Sequence, residues 1–135
     1  MSSLLIPPPY DAERDDWGAT LLAQWAAGAV APGARVLIVG AGAGGIGLPL
    51  ARAGAAVTFA DDHVAALAAA RQSFAQARLK AEFATTLDLA PEQPFDLALL
   101  NIIWWTDAAR GAELIALAAR HTRPGGIVAV GGGKD

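Results

Sequence analysis

The chain contains no cysteine in its 135 residues. That excludes disulfides, cysteine-ligated zinc and thiol catalysis, and it fits a reducing cytoplasm. Histidine is scarce. His63 and His121 stand far apart in sequence, so no metal site is expected. Lys and Arg number 10 against 13 Asp and Glu, giving a net charge of -3. No basic stripe appears, so a nucleic-acid partner lacks its usual electrostatic footprint. No apolar run approaches the ~20 residues that a membrane-spanning helix needs. The N-terminus, MSSLLIPPPYDAERDD, has no basic segment and only a short apolar run at Leu4–Ile6. It does not read as a secretory signal. The expectation is a cytoplasmic protein with neither a membrane nor a nucleic-acid partner.

What is present is aliphatic residues, alanine and glycine. Apolar residues make up 54% of the chain, and much of that is alanine, which favours helix and close packing over a bulky core. The length suits one domain. Residues 1–16 read as an N-terminal arm, because Pro7, Pro8 and Pro9 impose an extended backbone. Residues 17–135 read as a single domain. Trp17, Leu21, Leu22 and Trp25 recur at helical spacing, which predicts a helix over Trp17–Ala29 with Trp17 and Trp25 in the core.

Strands and helices then alternate. Arg35–Val39 is a nearly unbroken aliphatic run, the pattern of a strand buried on both faces. A helix is expected over Gly45–Ala53, closed by Gly54. Strand two is Ala56–Ala60. Asp61 or Asp62 would cap a helix over His63–Ala77. Strands three and four are Ala81–Thr85 and Phe95–Asn101. A helix over Thr106–His121 follows. Arg123–Gly126 reads as a sharp turn before strand five, Ile127–Val130. This order implies right-handed crossovers and a parallel α/β sheet.

The most informative segment is Val36–Asp62. Gly40, Gly42, Gly44, Gly45 and Gly47 satisfy both GxGxG and GxGxxG. Glycine permits the tight turn and lets a ligand touch the backbone. The N–H groups of the following helix add a positive end. A carboxylate at the tip of strand two can accept both hydroxyls of a ribose. Asp61 lies 21 residues after Gly40 and 16 after Gly45 (61 − 40 and 61 − 45). Dinucleotide fingerprints place the acid about 20 residues beyond the glycines, so the connecting helix is short for that class.

The segment resembles motif I and the following acid of class I S-adenosylmethionine-dependent methyltransferases. Phe95-Asp96 resembles that family's "FD" step into strand four. Arg123-Pro124-Gly125-Gly126 resembles its "PGG" turn before strand five. The resemblance runs over about Val36–Val130. It implies a Rossmann-like doubly wound parallel sheet and S-adenosyl-L-methionine as cofactor. By it, Gly40, Gly42 and Gly44 would lie against the methionine part. Asp61 would bind the ribose, and Asp62 or His63 would flank the adenine. Plain packing of the glycines and plain helix capping by Asp61 and Asp62 are the structural alternatives.

Substrate clues sit after strand four, in Asn101-Ile102-Ile103-Trp104-Trp105. An amide three residues before an aromatic resembles the Asn-x-x-aromatic set of amino-group methyltransferases, and an aromatic face also suits a cation. Asn101 and Trp104 are therefore the candidate catalytic residues. The prolines of Asn-Pro-Pro-Tyr are absent, which argues against base methylation. The family 16 seven-strand methyltransferases are similar in an N-terminal Trp (Trp17 here). They are also similar in a Leu-Asp step after strand three, here Leu87-Asp88, which adds Asp88 to the cofactor residues. Asn101 stands where that group carries Asp. The ribosomal protein L11 methyltransferases are similar in Asn101-Ile102. Both comparisons imply a protein amine as acceptor, and a small-molecule amine fits the same residues.

The family resembled has two further strands, a hairpin beside strand five. This sequence ends after strand five, so the expected order is 3-2-1-4-5 without the hairpin. A natural short form, a fragment and a covered edge all fit. An apolar strand-five edge favours pairing with another chain, including a homo-oligomer. A non-catalytic module acting through that edge is one rival reading. A nicotinamide-dependent oxidoreductase is another, but Tyr10 is the only tyrosine, and Lys80 and Lys134 lack a partner motif.

Overall fold

The computed structural model describes residues 17–40, 44–89, 94–102 and 108–132, with backbone alone at 17–20, 87, 101, 102, 108 and 132. The elements are α1 (Trp17–Ala29), β1 (Arg35–Val39), α2 (Gly47–Arg52), β2 (Ala56–Ala60), α3 (Val64–Gln76), β3 (Glu82–Ala84), a 3-10 turn (Thr86–Asp88), β4 (Phe95–Ile102), α4 (Ala108–Arg120) and β5 (Thr122–Gly132). All strand pairs are parallel. The order is β3-β2-β1-β4-β5, as the family resemblance implies.

β1 shows why the sheet is covered on both faces. Val36 and Ile38 point into one core with Leu50, Phe59, Leu67 and Phe74. Leu37 and Val39 point into a second core with Leu117 and Ala118 of α4. A strand between two apolar layers leaves no position for a polar side chain, hence its unbroken aliphatic run. Phe59 is fully buried. Its ring meets Phe74 edge-on at 5.3 Å and stacks on Phe83 at 5.4 Å. Burying one such ring contributes about 1.5–3 kcal/mol.

The helices follow the same logic. α3 buries Leu67, Ala70 and Phe74 at helical spacing. α1 turns Leu22, Ala23 and Ala26 inward. This corrects one expectation: Trp25 is 45% exposed and Leu21 60% exposed. The inward stripe is made by the smaller residues because α1 lies close on the sheet, and the Leu21–Trp25 stripe falls beside it. α2 ends at Gly54, whose φ of +96° is the left-handed conformation that glycine adopts without strain.

Three further expectations need correction. α2 starts at Gly47 rather than Gly45. No aspartate caps α3: its N-cap is His63, without a side-chain bond. The Arg123–Gly126 segment does not precede β5 but lies within it. Phe95 pairs with Thr122 and Leu97 with Ile127, so the extra residues bulge out between them. A Cβ on Gly126 would stand 2.6 Å from Thr122 Cγ2 and 2.9 Å from the Asp96 carbonyl oxygen. Only glycine lets the bulge lie this close to β4. The N-terminal arm, with Tyr10, lies outside the described residues.

Candidate functional site

Strand register builds the site. Val39 pairs with Ala60 and with Leu100, and Ala60 pairs with Ala84. The next residue of each strand therefore falls in one row: Thr85, Asp61, Gly40, Asn101. Asn101 in turn pairs with Gly131. This row is the C-terminal edge of the sheet. The chain leaves β1 toward β2 on one side and returns as β4 on the other, so β1 is the switch point at which open α/β sheets bind ligands. Residues 21 and 61 positions apart (61 − 40 and 101 − 40) are neighbours because of topology alone.

The glycines divide by task. The Gly40 N–H donates to the Ala60 carbonyl at 2.9 Å. Its φ is +94°, and a Cβ there would meet nothing within 4 Å among the described residues. Among the described residues, the backbone is thus unobstructed where the loop begins. Gly44, also at positive φ, is buried, and a Cβ there would touch Phe74 and Ser73 of α3 at 3.5 Å. Gly47 is a packing residue: a Cβ would run into the Phe59 ring. It brings α2 tightly onto the sheet, the task of the third glycine in such loops. Gly42 lies outside the described residues.

The carboxylates also divide. The Asp61 N–H donates to the Ala84 carbonyl at 3.1 Å. Asp61 Oδ1 accepts the His63 N–H at 2.8 Å, a turn that holds the half-buried side chain beside Gly40. Asp62 points elsewhere. Its Oδ1 accepts from Thr86 N–H at 3.1 Å and Thr86 Oγ1 at 2.7 Å, and its Oδ2 accepts from Arg110 Nη2. The Thr86 hydroxyl leads in holding its carboxyl below the ordinary value of 3.8, with Arg110 assisting and burial opposing. Asp88 Oδ2 accepts from Thr85 Oγ1 at 2.8 Å, on the exposed 3-10 turn at the β3 end of the row. Sequence reasoning missed Arg110. It lies 48 residues from Asp62, and no local pattern signals a contact created by topology.

Asn101 is placed by its backbone in β4, beside Gly40. Trp104 and Trp105 lie outside the described residues. Among the described residues no cluster of His, Cys, Asp or Glu could hold a metal ion, and no helix is long and apolar enough to cross a membrane.

The Phe95-Asp96 and Arg123–Gly126 landmarks lie at the opposite end of the sheet. Asp96 Oδ2 accepts the Arg35 N–H at 2.9 Å, and Oδ1 accepts from Arg123 Nε at 2.6 Å. These two bonds, the backbone one first, hold the Asp96 carboxyl below 3.8.

Known proteins match this arrangement. The sequence model described as "Methyltransferase domain" matches residues 36–126. No curated protein matches. Among solved structures, the T. thermophilus 16S rRNA N2 methyltransferase RsmC, in complex with AdoMet and guanosine, is 28% identical with a TM-score of 0.76. It is matched over 88% of this chain and 35% of its own. A SAM-dependent methyltransferase from Geobacter sulfurreducens, in complex with S-adenosyl-L-homocysteine, is 27% identical with a TM-score of 0.61, over 85% of this chain and 47% of its own. The ribosomal protein L11 methylase from Lactobacillus delbrueckii subsp. bulgaricus, at 22% identity and a TM-score of 0.67, covers 83% and 60% and shares the fold. This chain thus spans from about a third to three fifths of the length of these structures. With the family model spanning β1 to the β5 bulge, and the sheet order and glycine loop in place, the chain belongs to the methyltransferase-domain family.

Proposed function

We propose that this domain is an S-adenosylmethionine-dependent methyltransferase whose acceptor is an amine nitrogen of a protein or a small molecule. The observation that carries the reading is the row Asp61–Gly40–Asn101, set by strand register at the switch point. The AdoMet and S-adenosylhomocysteine complexes of the two more similar structures support the cofactor.

The residues present fit that cofactor. The unobstructed backbone at Gly40 admits its methionine part. Asp61 offers a carboxylate to the ribose hydroxyls, and Asp88 stands farther along the same edge. When bound, the sulfonium supplies an activated methyl group, which the acceptor nitrogen takes as the carbon–sulfur bond breaks. The protein's task is then to align nitrogen, carbon and sulfur. Asn101 stands on the far side of Gly40 from Asp61, where its amide would orient the acceptor nitrogen. Trp104 would pack against that acceptor.

The likeness to the rRNA N2 methyltransferase favours a second reading, in which the amine is exocyclic on a nucleobase. The net charge of -3 weighs against it. Calorimetric titration with S-adenosylmethionine, S-adenosylhomocysteine and NADH tests the cofactor. Heat from the first two alone is expected. Heat from NADH alone would replace the reading with an oxidoreductase. A methyl-transfer screen over peptides, small amines and RNA then separates the acceptors.

A further inference from the structure

Asp62 and Arg110 meet although no pair of adjacent strands brings them together. Asp62 lies two residues beyond the end of β2, and Arg110 lies in the first turn of α4, after β4. β1 runs between β2 and β4, and strands two places apart are separated by about 10 Å. The pair therefore bridges the end of β1, where Gly40 opens the glycine loop. α4 packs on the sheet face that bears Leu37 and Val39, whereas the loop leads into α2 on the other face. The bridge thus borders the row on the α4 side.

Asp62 is also held from its other flank. Thr86, in the turn after β3, donates both its N–H and its hydroxyl to the carboxylate. Thr86, Asp62 and Arg110 form one chain from the β3 end to the helix after β4. The described part of the β3–β4 crossover contains only a 3-10 turn. This chain is a side-chain link between the two halves of the edge.

We infer that Arg110 is a positioning residue for the cofactor, acting through Asp62 and Thr86. It fixes the side that carries Asp61 and Asp88 relative to the side that carries Asn101. The inference rests on the cofactor reading above. It also gives Asp62 a role other than flanking adenine, because its carboxylate already accepts from Thr86 and Arg110.

Both partners are partly exposed, with side chains 41% and 44% accessible. Such pairs are screened by salt and individually modest. Arg110→Gln should therefore weaken S-adenosylhomocysteine binding about two- to fivefold at low salt. Arg110→Lys, which keeps the charge, should recover most of that loss. High salt should bring the wild type toward R110Q and leave R110Q almost unmoved. Calorimetry reads these affinities, and thermal melting of the unliganded protein reads any purely structural role. Equal affinity in wild type and R110Q overturns the inference. So does a lowered melting temperature without a change in affinity. If the wild type binds and Asp61→Ala binds tens of fold more weakly, the cofactor reading stands whatever R110Q does. If the wild type takes up no S-adenosylhomocysteine, both readings fall together.

Discussion

The two ends of the same five strands are built for opposite purposes. At the N-terminal end polar groups are joined inward. Asp96 takes the Arg35 N–H and the Arg123 guanidinium. The Phe95 N–H donates to the His121 carbonyl at 2.7 Å, and the Arg35 guanidinium lies 5.0 Å from the centre of the Phe95 ring. Gly126 lies against the β4 backbone with no room for a side chain. At the C-terminal end no described side chain or backbone crowds Gly40, and carboxylates line the rim. Sequence landmarks of one family thus serve two tasks. The glycine loop and Asp61 are the proposed place for a ligand, while Phe95-Asp96 and Arg123–Gly126 hold the strands together at the distant end. A motif can identify a family without touching its substrate.

The largest effect that would sharpen this contrast is at Asp61. Charge-assisted bonds to two ribose hydroxyls are worth about 2–3 kcal/mol together, so Asp61→Ala should lower S-adenosylhomocysteine affinity roughly 30- to 160-fold. Denaturant unfolding of the unliganded variant should stay near the wild type. A large loss of stability with unchanged affinity would place Asp61 with the structural end and break the contrast.

Gly126 is the reciprocal case. Adding a methyl against Thr122 Cγ2 and the Asp96 carbonyl forces β5 away from β4. Gly126→Ala should cost about 1–3 kcal/mol of stability, the usual penalty for overpacking. The affinity of the folded fraction for S-adenosylhomocysteine should not change. Equilibrium unfolding in urea measures the first, and calorimetry below the unfolding transition measures the second.

How much of this was legible depended on whether the determining residues were local. α1, β1 and β2 follow their sequence patterns residue for residue, because helical spacing and unbroken aliphatic runs are properties of consecutive residues. The parallel sheet followed from the alternation of elements, and its order from the family resemblance. The row Asp61–Gly40–Asn101 was half legible: the Gly40–Asp61 spacing suggested one side, and β1–β4 register supplied the other. Three features were not legible. Trp25 is exposed because the tight approach of α1 selects Ala23 and Ala26 for the interface. The β5 bulge depends on Asp96, which is remote in sequence. Arg110 reaches Asp62 only because β1 runs between β2 and β4, and that contact exists in no sequence window.

The smallest effect concerns pH, and its mild-acid part belongs to the N-terminal end. His121 is buried at the N-terminal end, and its Nδ1 has no hydrogen-bond partner among the described residues. Burial, with a lesser contribution from Arg120, holds its folded pKa below the ordinary 6.5. As pH falls, the unfolded chain takes up the proton first, so its contribution is complete above pH 6.5 and declines toward the folded pKa. Asp62 and Asp96 act in a lower window. Their folded pKa values lie below 3.8, so their contributions are intact above that value and are lost as pH falls through the folded ones. Denaturant midpoints should therefore fall slightly in mild acid and more steeply near the carboxylate range. His121→Leu should remove the first decline and leave the second. Should the mild-acid decline survive in His121→Leu, the group responsible would lie elsewhere, and the closed end of the sheet would not be the pH-sensitive one.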